Sequence, residues 1–201
     1  MNLGTNIKKT DDPKKLIQGI IKERIKLLVG FGGIKEVNKE KLKKSFIPSL
    51  FTLSLSGEST LYPNLPELIK EIKKREAISF IVTNGQNPEM IKRLEKENSL
   101  PTQLTLSTNA PNKRLFLKWH NSSRKDSWER FNKTISIMKE LKGKCRRCIR
   151  LTLVSQGKNE KARFNYLTNM TDKNVFEYAK LIKKAEPDFV HVKGYTSIGS
   201  A

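Results

Sequence analysis

The spacing of apolar positions changes several times along this chain, and each change marks an element. Leu16, Ile17, Ile20, Ile21, Ile25 and Leu28 recur at helical spacing. Asp12 offers a capping carboxylate and Pro13 suits a first turn, so a helix is predicted from Pro13. GFGG at 30–33 stops it. A lysine-rich stretch follows, with a short helix expected at 38–45, and Pro48 resets the chain. Beyond it, short apolar runs alternate with longer amphipathic ones. LFTLSLSG (50–57), AISFIVTNG (77–85), TQLTLST (102–108), CIRLTLV (148–154) and FVHVKG (189–194) read as strands. Segment 64–76, from near Pro66, and segments 87–97, 126–143 and 170–188 read as helices, the last stopped by Pro187. In 126–143, Trp128, Phe131, Ile135 and Met138 share a face, and Asp126 and Glu129 have the spacing of a capping box. A loop with Pro111, Trp119 and His120 is expected before it. Residues 155–169, SQGKNEKARFNYLTN, read as a solvated polar loop, a candidate insertion.

Strand–helix alternation implies parallel strands joined by right-handed crossovers, in a barrel or an open sheet. One α/β domain over 1–201, with 1–10 as a short tail, accounts for the length. Such folds bind ligands at the C-terminal ends of the strands. Polar residues gather at those ends: Ser56, Gly57 and Glu58; Thr83, Asn84 and Gly85; Ser107 and Asn109; Lys193 and Gly194. No packing role calls for Glu58. A carboxylate there, beside a glycine, suits a ligand amine or hydroxyl.

Forty Lys and Arg against twenty Asp and Glu give a net charge of +20, spread along the whole chain. That excess favours encounter with polyanions, nucleic acid first, and a lysine-rich compositional bias is the competing explanation. No apolar run is long enough to span a membrane, and the first residues carry no signal core. With only two cysteines, a reducing, cytoplasmic setting is expected. Cys145 and Cys148 form a CxxC without the second pair that a metal site needs, and Cys148 opens an apolar run as a buried strand residue would. No metal ligand is assigned. His191 reads as a neutral strand histidine, and His120, beside Trp119, as part of a partly exposed aromatic loop able to stack on a base.

The strand ends, read in order, resemble the radical S-adenosylmethionine enzymes that make 4-demethylwyosine in tRNA. The resemblance is carried by SLSGESTLYPNLPELI, FIVTNGQNPEMIKRLE, LPTQLTLSTNAPN, DSWERFNKTISIMKEL with IRLTLV, and AEPDFVHVKGY, from about Asp11 to Gly199. It implies a partial (β/α)6 barrel, a 4Fe-4S cluster held by a CxxxCxxC loop, S-adenosylmethionine, pyruvate as two-carbon donor, and tRNA-Phe carrying N1-methylguanosine. The implied reaction is a radical condensation at the guanine's methyl group. By position, Ser56, Gly57 and Glu58 match the segment that holds the methionine amino end of the cofactor. Asn84 and Ser107 match strand-end positions near it. Arg150 and Lys193 match basic positions able to bind an anionic group. No catalytic residue is assigned.

This chain also departs from the family pattern. The cysteine loop belongs just upstream of DDPKKL, where MNLGTNIKKT has no cysteine, and the strand before that loop is missing. The implied fold is therefore a barrel truncated before its first strand, with an exposed strand edge. Cys145 and Cys148 lie in another segment, and a cluster takes three protein thiolates, so they are not its ligands. Ser59, Asn109 and His191 stand where the family pattern has proline, aspartate and an acidic residue. The chain reads as an incomplete enzyme or one half of a split one, with a second chain supplying the cysteine loop. The alternative is a non-catalytic, basic RNA-binding remnant.

Overall fold

The computed structural model describes residues 10–154 and 168–196. The β-branched and aromatic runs form five strands: β1 (Leu50–Leu53), β2 (Ile78–Thr83), β3 (Gln103–Thr108), β4 (Arg146–Leu153) and β5 (Phe189–Gly194). All neighbours pair in parallel, in the order β1-β2-β3-β4-β5. The helices are α1 (Pro13–Val29), α2 (Lys39–Ser45), α3 (Leu65–Lys73), α4 (Pro88–Lys96), α5 (Lys113–His120), α6 (Ser127–Glu140) and α7 (Asp172–Ala185). Sequential strand order with right-handed crossovers puts the helices that join the strands on one face of the sheet. Burial agrees: Phe51, Ile81, Leu104, Leu106, Ile149 and Leu151 are buried with Leu65, Ile69, Ile91, Phe131 and Met138 in one core.

The opposite, helix-free face carries Thr52, Phe80, Val82, Gln103, Thr105, Ser107, Cys148, Arg150 and Thr152, because side chains alternate along a strand. Both edge strands pair on one side only among the described residues, and β5 is exposed along its length.

Local chemistry explains most boundaries. The Asp12 side chain accepts from the Lys15 amide at 2.9 Å and Pro13 opens α1; Asn38 caps α2 in the same way. GFGG forms a 3-10 turn that ends the first helix. Four expectations need correction. First, β1 stops at Leu53 rather than running to Gly57: Leu55 has a φ of 86° and is fully exposed. Second, β4 begins at Arg146, two residues early, because the buried Arg147 joins the strand. Third, residues 113–120 form α5, not a loop; Asn112 accepts from the Leu115 amide at 2.9 Å and starts the helix. Fourth, the capping box at Asp126 does not form: Asp126 caps no amide, and Glu129 pairs with Lys113 at 2.6 Å.

Arg147 is 1% exposed and faces the helices, where it donates to the Met138 carbonyl at 3.0 Å. Its charge is matched by Asp188 just before β5, through guanidinium contacts of 3.1 and 2.7 Å. The Arg147 amide also donates to the Asp188 carboxylate at 2.7 Å. These bonds hold the Asp188 carboxyl below the usual carboxylate range.

Candidate functional site at the C-terminal edge of the sheet

After β1 the chain turns through Ser54–Glu58, with Gly57 at φ 81°, a conformation glycine takes without strain. Nothing crowds a Cβ built there, so the backbone angle, not close packing, calls for the glycine. Glu58 then turns back on the fold. Its Oε1 accepts from the Thr60 amide at 3.2 Å and the Thr60 hydroxyl at 2.7 Å. Its Oε2 accepts from the Asn84 amide at 2.8 Å. The carboxylate therefore clasps the loop after β1 to the end of β2, a structural role that the sequence reading did not foresee. A carboxylate offers about four acceptor sites. Three are used, and one on Oε2 remains for a ligand donor. Ser56, Gly57 and Glu58 line a cleft of about 490 Å³ against Asp11 and Tyr62. A larger hollow of about 820 Å³ follows α1 and contains none of the predicted residues.

At the end of β2, Asn84 is exposed and its Oδ1 accepts from the Gln86 amide at 3.0 Å, which shapes the turn. Gly85 has a φ of 77°, and a Cβ there would meet Leu106 Cδ1 at 2.7 Å, so this turn admits only glycine without rearrangement.

Ser107 and Arg150 are register partners on β3 and β4, and His191 is the next partner on β5, so the three form one row across the helix-free face. The Ser107 hydroxyl oxygen and Arg150 Nε are both buried and have no hydrogen-bond partner among the described residues. The Asn109 Oδ1, just beyond β3, is in the same state. Buried polar atoms without partners are costly, and three at one edge mark a place that a polar ligand would satisfy. Lys193 lies further along β5, paired with Thr152 on this face, and is exposed.

Two groupings thus emerge from the predicted residues. Ser56, Gly57, Glu58 and Asn84 are joined through the Glu58 clasp, and Ser107, Arg150 and Lys193 share one face. Strands lie about 4.8 Å apart, so β2 and β4 are separated by roughly 10 Å. That distance suits the length of an extended nucleoside or amino-acid conjugate, not a single functional group.

Asn169 was missed as a site residue. It is fully buried, accepts from the Val154 amide at 2.8 Å, and donates to the carbonyls of Asn109 at 2.7 Å and Thr152 at 2.9 Å. It ties the ends of β3 and β4 together beside the row. The expected solvated loop is corrected at this residue; 155–167 lie outside the described residues. Nothing in the local pattern distinguishes Asn169 from its polar neighbours.

His120 is no exposed stacking platform. Its ring lies on Phe116 at 4.1 Å, and burial lowers its pKa. Cys145 packs against the helix-side core, while Cys148 lies on the helix-free face. Cys145 lies in the bend before β4 and Cys148 within the strand, so the two thiols do not share a face. Burial pushes the Cys145 thiol up to about 11 and raises that of Cys148. No group of three metal-ligating side chains occurs among the described residues. The chain's two cysteines therefore do not fit a 4Fe-4S cluster. No helix among the described residues is long and apolar enough to cross a membrane.

A parallel sheet with a polar, partly unpartnered C-terminal edge on a helix-free face is the frame of a large enzyme class, and residues 9–162 match the model of the radical SAM superfamily. The chain belongs to that superfamily. Within it, the S-adenosyl-L-methionine-dependent tRNA 4-demethylwyosine synthase of Pyrococcus abyssi is 38% identical over 198 residues, 98% of this chain and 54% of the relative. A solved structure of TYW1 with a lysine-pyruvate adduct bound superposes with a TM-score of 0.76 at 29% identity, covering 94% of this chain and 56% of that one. A crystal structure of archaeal TYW1 gives 0.73 at 30% identity, covering 93% and 58%. The chain spans about half the length of the relatives it matches.

Proposed function

We propose that this chain forms the S-adenosylmethionine- and tRNA-binding part of a tRNA 4-demethylwyosine synthase. The observation that carries the reading is the pair of buried, unpartnered atoms Ser107 Oγ and Arg150 Nε, set on the face that adjoins the Glu58–Asn84 clasp. S-adenosylmethionine fits this edge: the free acceptor on Glu58 suits its ammonium, Ser107 suits a ribose or carboxylate oxygen, and Arg150 donates to an anionic group. Lys193 extends the positive charge toward a second anion, such as the carboxylate of a two-carbon donor or an RNA phosphate. When bound, S-adenosylmethionine supplies the radical chemistry of the superfamily. The 4Fe-4S cluster is a different matter. This chain's thiols do not fit it, so the cluster ligands come from polypeptide outside these 201 residues or from a second chain. The setting is the reducing cytoplasm, where tRNA substrate is available.

The test is calorimetric titration of S-adenosylmethionine and of N1-methylguanosine-containing tRNA-Phe, after anaerobic iron–sulfur reconstitution with iron counted. The expected result is binding of both ligands with little retained iron. Iron approaching one cluster per chain contradicts the assignment of the ligands elsewhere, and failure of both ligands to bind contradicts the proposal as a whole. The net charge of +20 favours a second reading, a non-catalytic RNA-binding remnant, which predicts tRNA binding that S-adenosylmethionine does not accompany.

A further inference from the structure

The excess positive charge is not distributed evenly once ion pairs are taken into account. On the helix layer, acidic side chains neutralise many of the cations, although Lys73, Lys96, Lys173, Lys180, Lys183 and Lys184 form no ion pair among the described residues. Glu97 holds Arg93, Glu71 holds Lys74 and Arg75, Glu95 holds Lys92 and Lys144, Glu89 holds Arg130 and Lys133, and Glu186 holds Lys139 and Lys142. One cluster of cations without ion pairs lies beside the strand ends. Arg114 and Lys118 on α5, and Arg124 and Lys125 in the turn after it, are exposed and form no ion pair among the described residues. The nearby acids are already engaged, Glu129 with Lys113 at 2.6 Å and Asp126 with Arg130 at 3.8 Å.

The placement of α5 gives this patch its meaning. Its capping residue Asn112 donates to Glu177 and Asn174 in the first half of α7. At its far end the chain enters α6 at Ser127, whose carbonyl accepts from Gln86, three residues past β2. Helix α5 and the turn after it therefore run from the top of α7 toward the end of β2, along the same edge of the sheet as the candidate site. The other strongly basic stretch, Lys35 to Lys44, leads through Pro48 into the start of β1 and so lies at the opposite edge. The 17-residue α1 separates the two levels by about 25 Å.

We infer that α5 and the turn after it form a rim that grips the phosphate backbone of the RNA while one nucleotide is presented to the strand ends. This rests on the reading of the chain as a tRNA-binding protein and assigns that contact to Arg114, Lys118, Arg124 and Lys125. Unpaired, exposed cations bind phosphates without reading bases and release counterions, so their contribution shows in the salt dependence of affinity.

The experiment measures tRNA binding by fluorescence anisotropy at several salt concentrations. It compares the full chain with a rim variant (R114Q, K118Q, R124Q, K125Q) and with an opposite-edge variant (K39Q, K41Q, K43Q, K44Q) of equal charge change. All substitutions are on exposed side chains, and thermal melts verify folding. The rim variant is expected to lose about 30-fold or more in affinity and to flatten the slope of log K against log salt by about three, near one per lost phosphate contact. The opposite-edge variant changes affinity less than about threefold. Equal losses in the two variants overturn the rim, since they mean that only net charge matters. So does a larger loss at the opposite edge. In both cases tRNA is still bound by the parent chain and the functional reading survives. A parent chain that binds no tRNA overturns the rim and the tRNA part of that reading together.

Discussion

Replacing Glu58 by glutamine separates the two roles that the structure gives this residue. The carboxylate accepts three hydrogen bonds, from the Thr60 amide, the Thr60 hydroxyl and the Asn84 amide. Glutamine keeps the shape but has one acceptor oxygen. If that oxygen faces Thr60, the new NH2 group meets the Asn84 amide; if it faces Asn84, the NH2 group meets the Thr60 amide. Either orientation leaves one backbone donor without an acceptor, which costs about 1–3 kcal/mol, and weakens the charge-assisted bonds that survive. We expect E58Q to be destabilised by about 2 kcal/mol, a fall of roughly 4–8 °C in Tm for a chain of this size. Urea denaturation of parent and variant measures it. A variant within about 0.5 kcal/mol of the parent would refute the clasp and return Glu58 to a purely ligand-binding role. If the clasp holds, the loss of S-adenosylmethionine affinity in E58Q should persist at temperatures where the variant is fully folded.

Further outcomes follow from other parts of the fold. Gly85→Ala should cost about 2–4 kcal/mol in denaturant unfolding, because it adds a methyl group 2.7 Å from Leu106 at a positive φ. Asp188 is held below its ordinary pKa by the hydrogen bonds from Arg147. Its stabilising contribution is therefore complete above the unfolded carboxyl value of about 3.9 and is lost as pH falls through the lower folded value. Melting temperatures of the parent should show this acid loss, and those of Asp188→Asn should lack it while being lower at neutral pH. Cys145, pushed up to about 11, should react with iodoacetamide at pH 8 far more slowly in the folded chain than in urea, as read by mass spectrometry.

The strands and six of the seven helices were legible because burial on one face leaves a period in the sequence. All five strands were found and their parallel pairing follows from the alternation, while the sequential order β1-β2-β3-β4-β5 settles between the barrel-like and the open-sheet arrangements that alternation allows. The helix α5 was not found: eight residues, KRLFLKWH, are too few for a clear period, and Trp119 and His120 suggested a loop. What stabilises it is tertiary, with Phe116 packed on Trp128 and Phe131. The capping box failed for a related reason, since Lys113 of that unseen helix draws Glu129 away. At the site, the chemical types at the strand ends were readable, but their partners were not. Glu58 serves a backbone amide 26 residues away, and Asn169 bonds to main-chain groups at the ends of two strands, so neither leaves a side-chain pattern to read.

The most direct test of the central claim is to titrate S-adenosylmethionine into the isotopically labelled chain and follow its amide and arginine Nε–H resonances by NMR. The account predicts saturable shifts at Gly57, Asn84 and Ser107 and at the Arg150 Nε–H, with α2 unmoved, and their disappearance in Arg150→Gln. Shifts confined to α1 and α2, or none at saturating ligand, would contradict it.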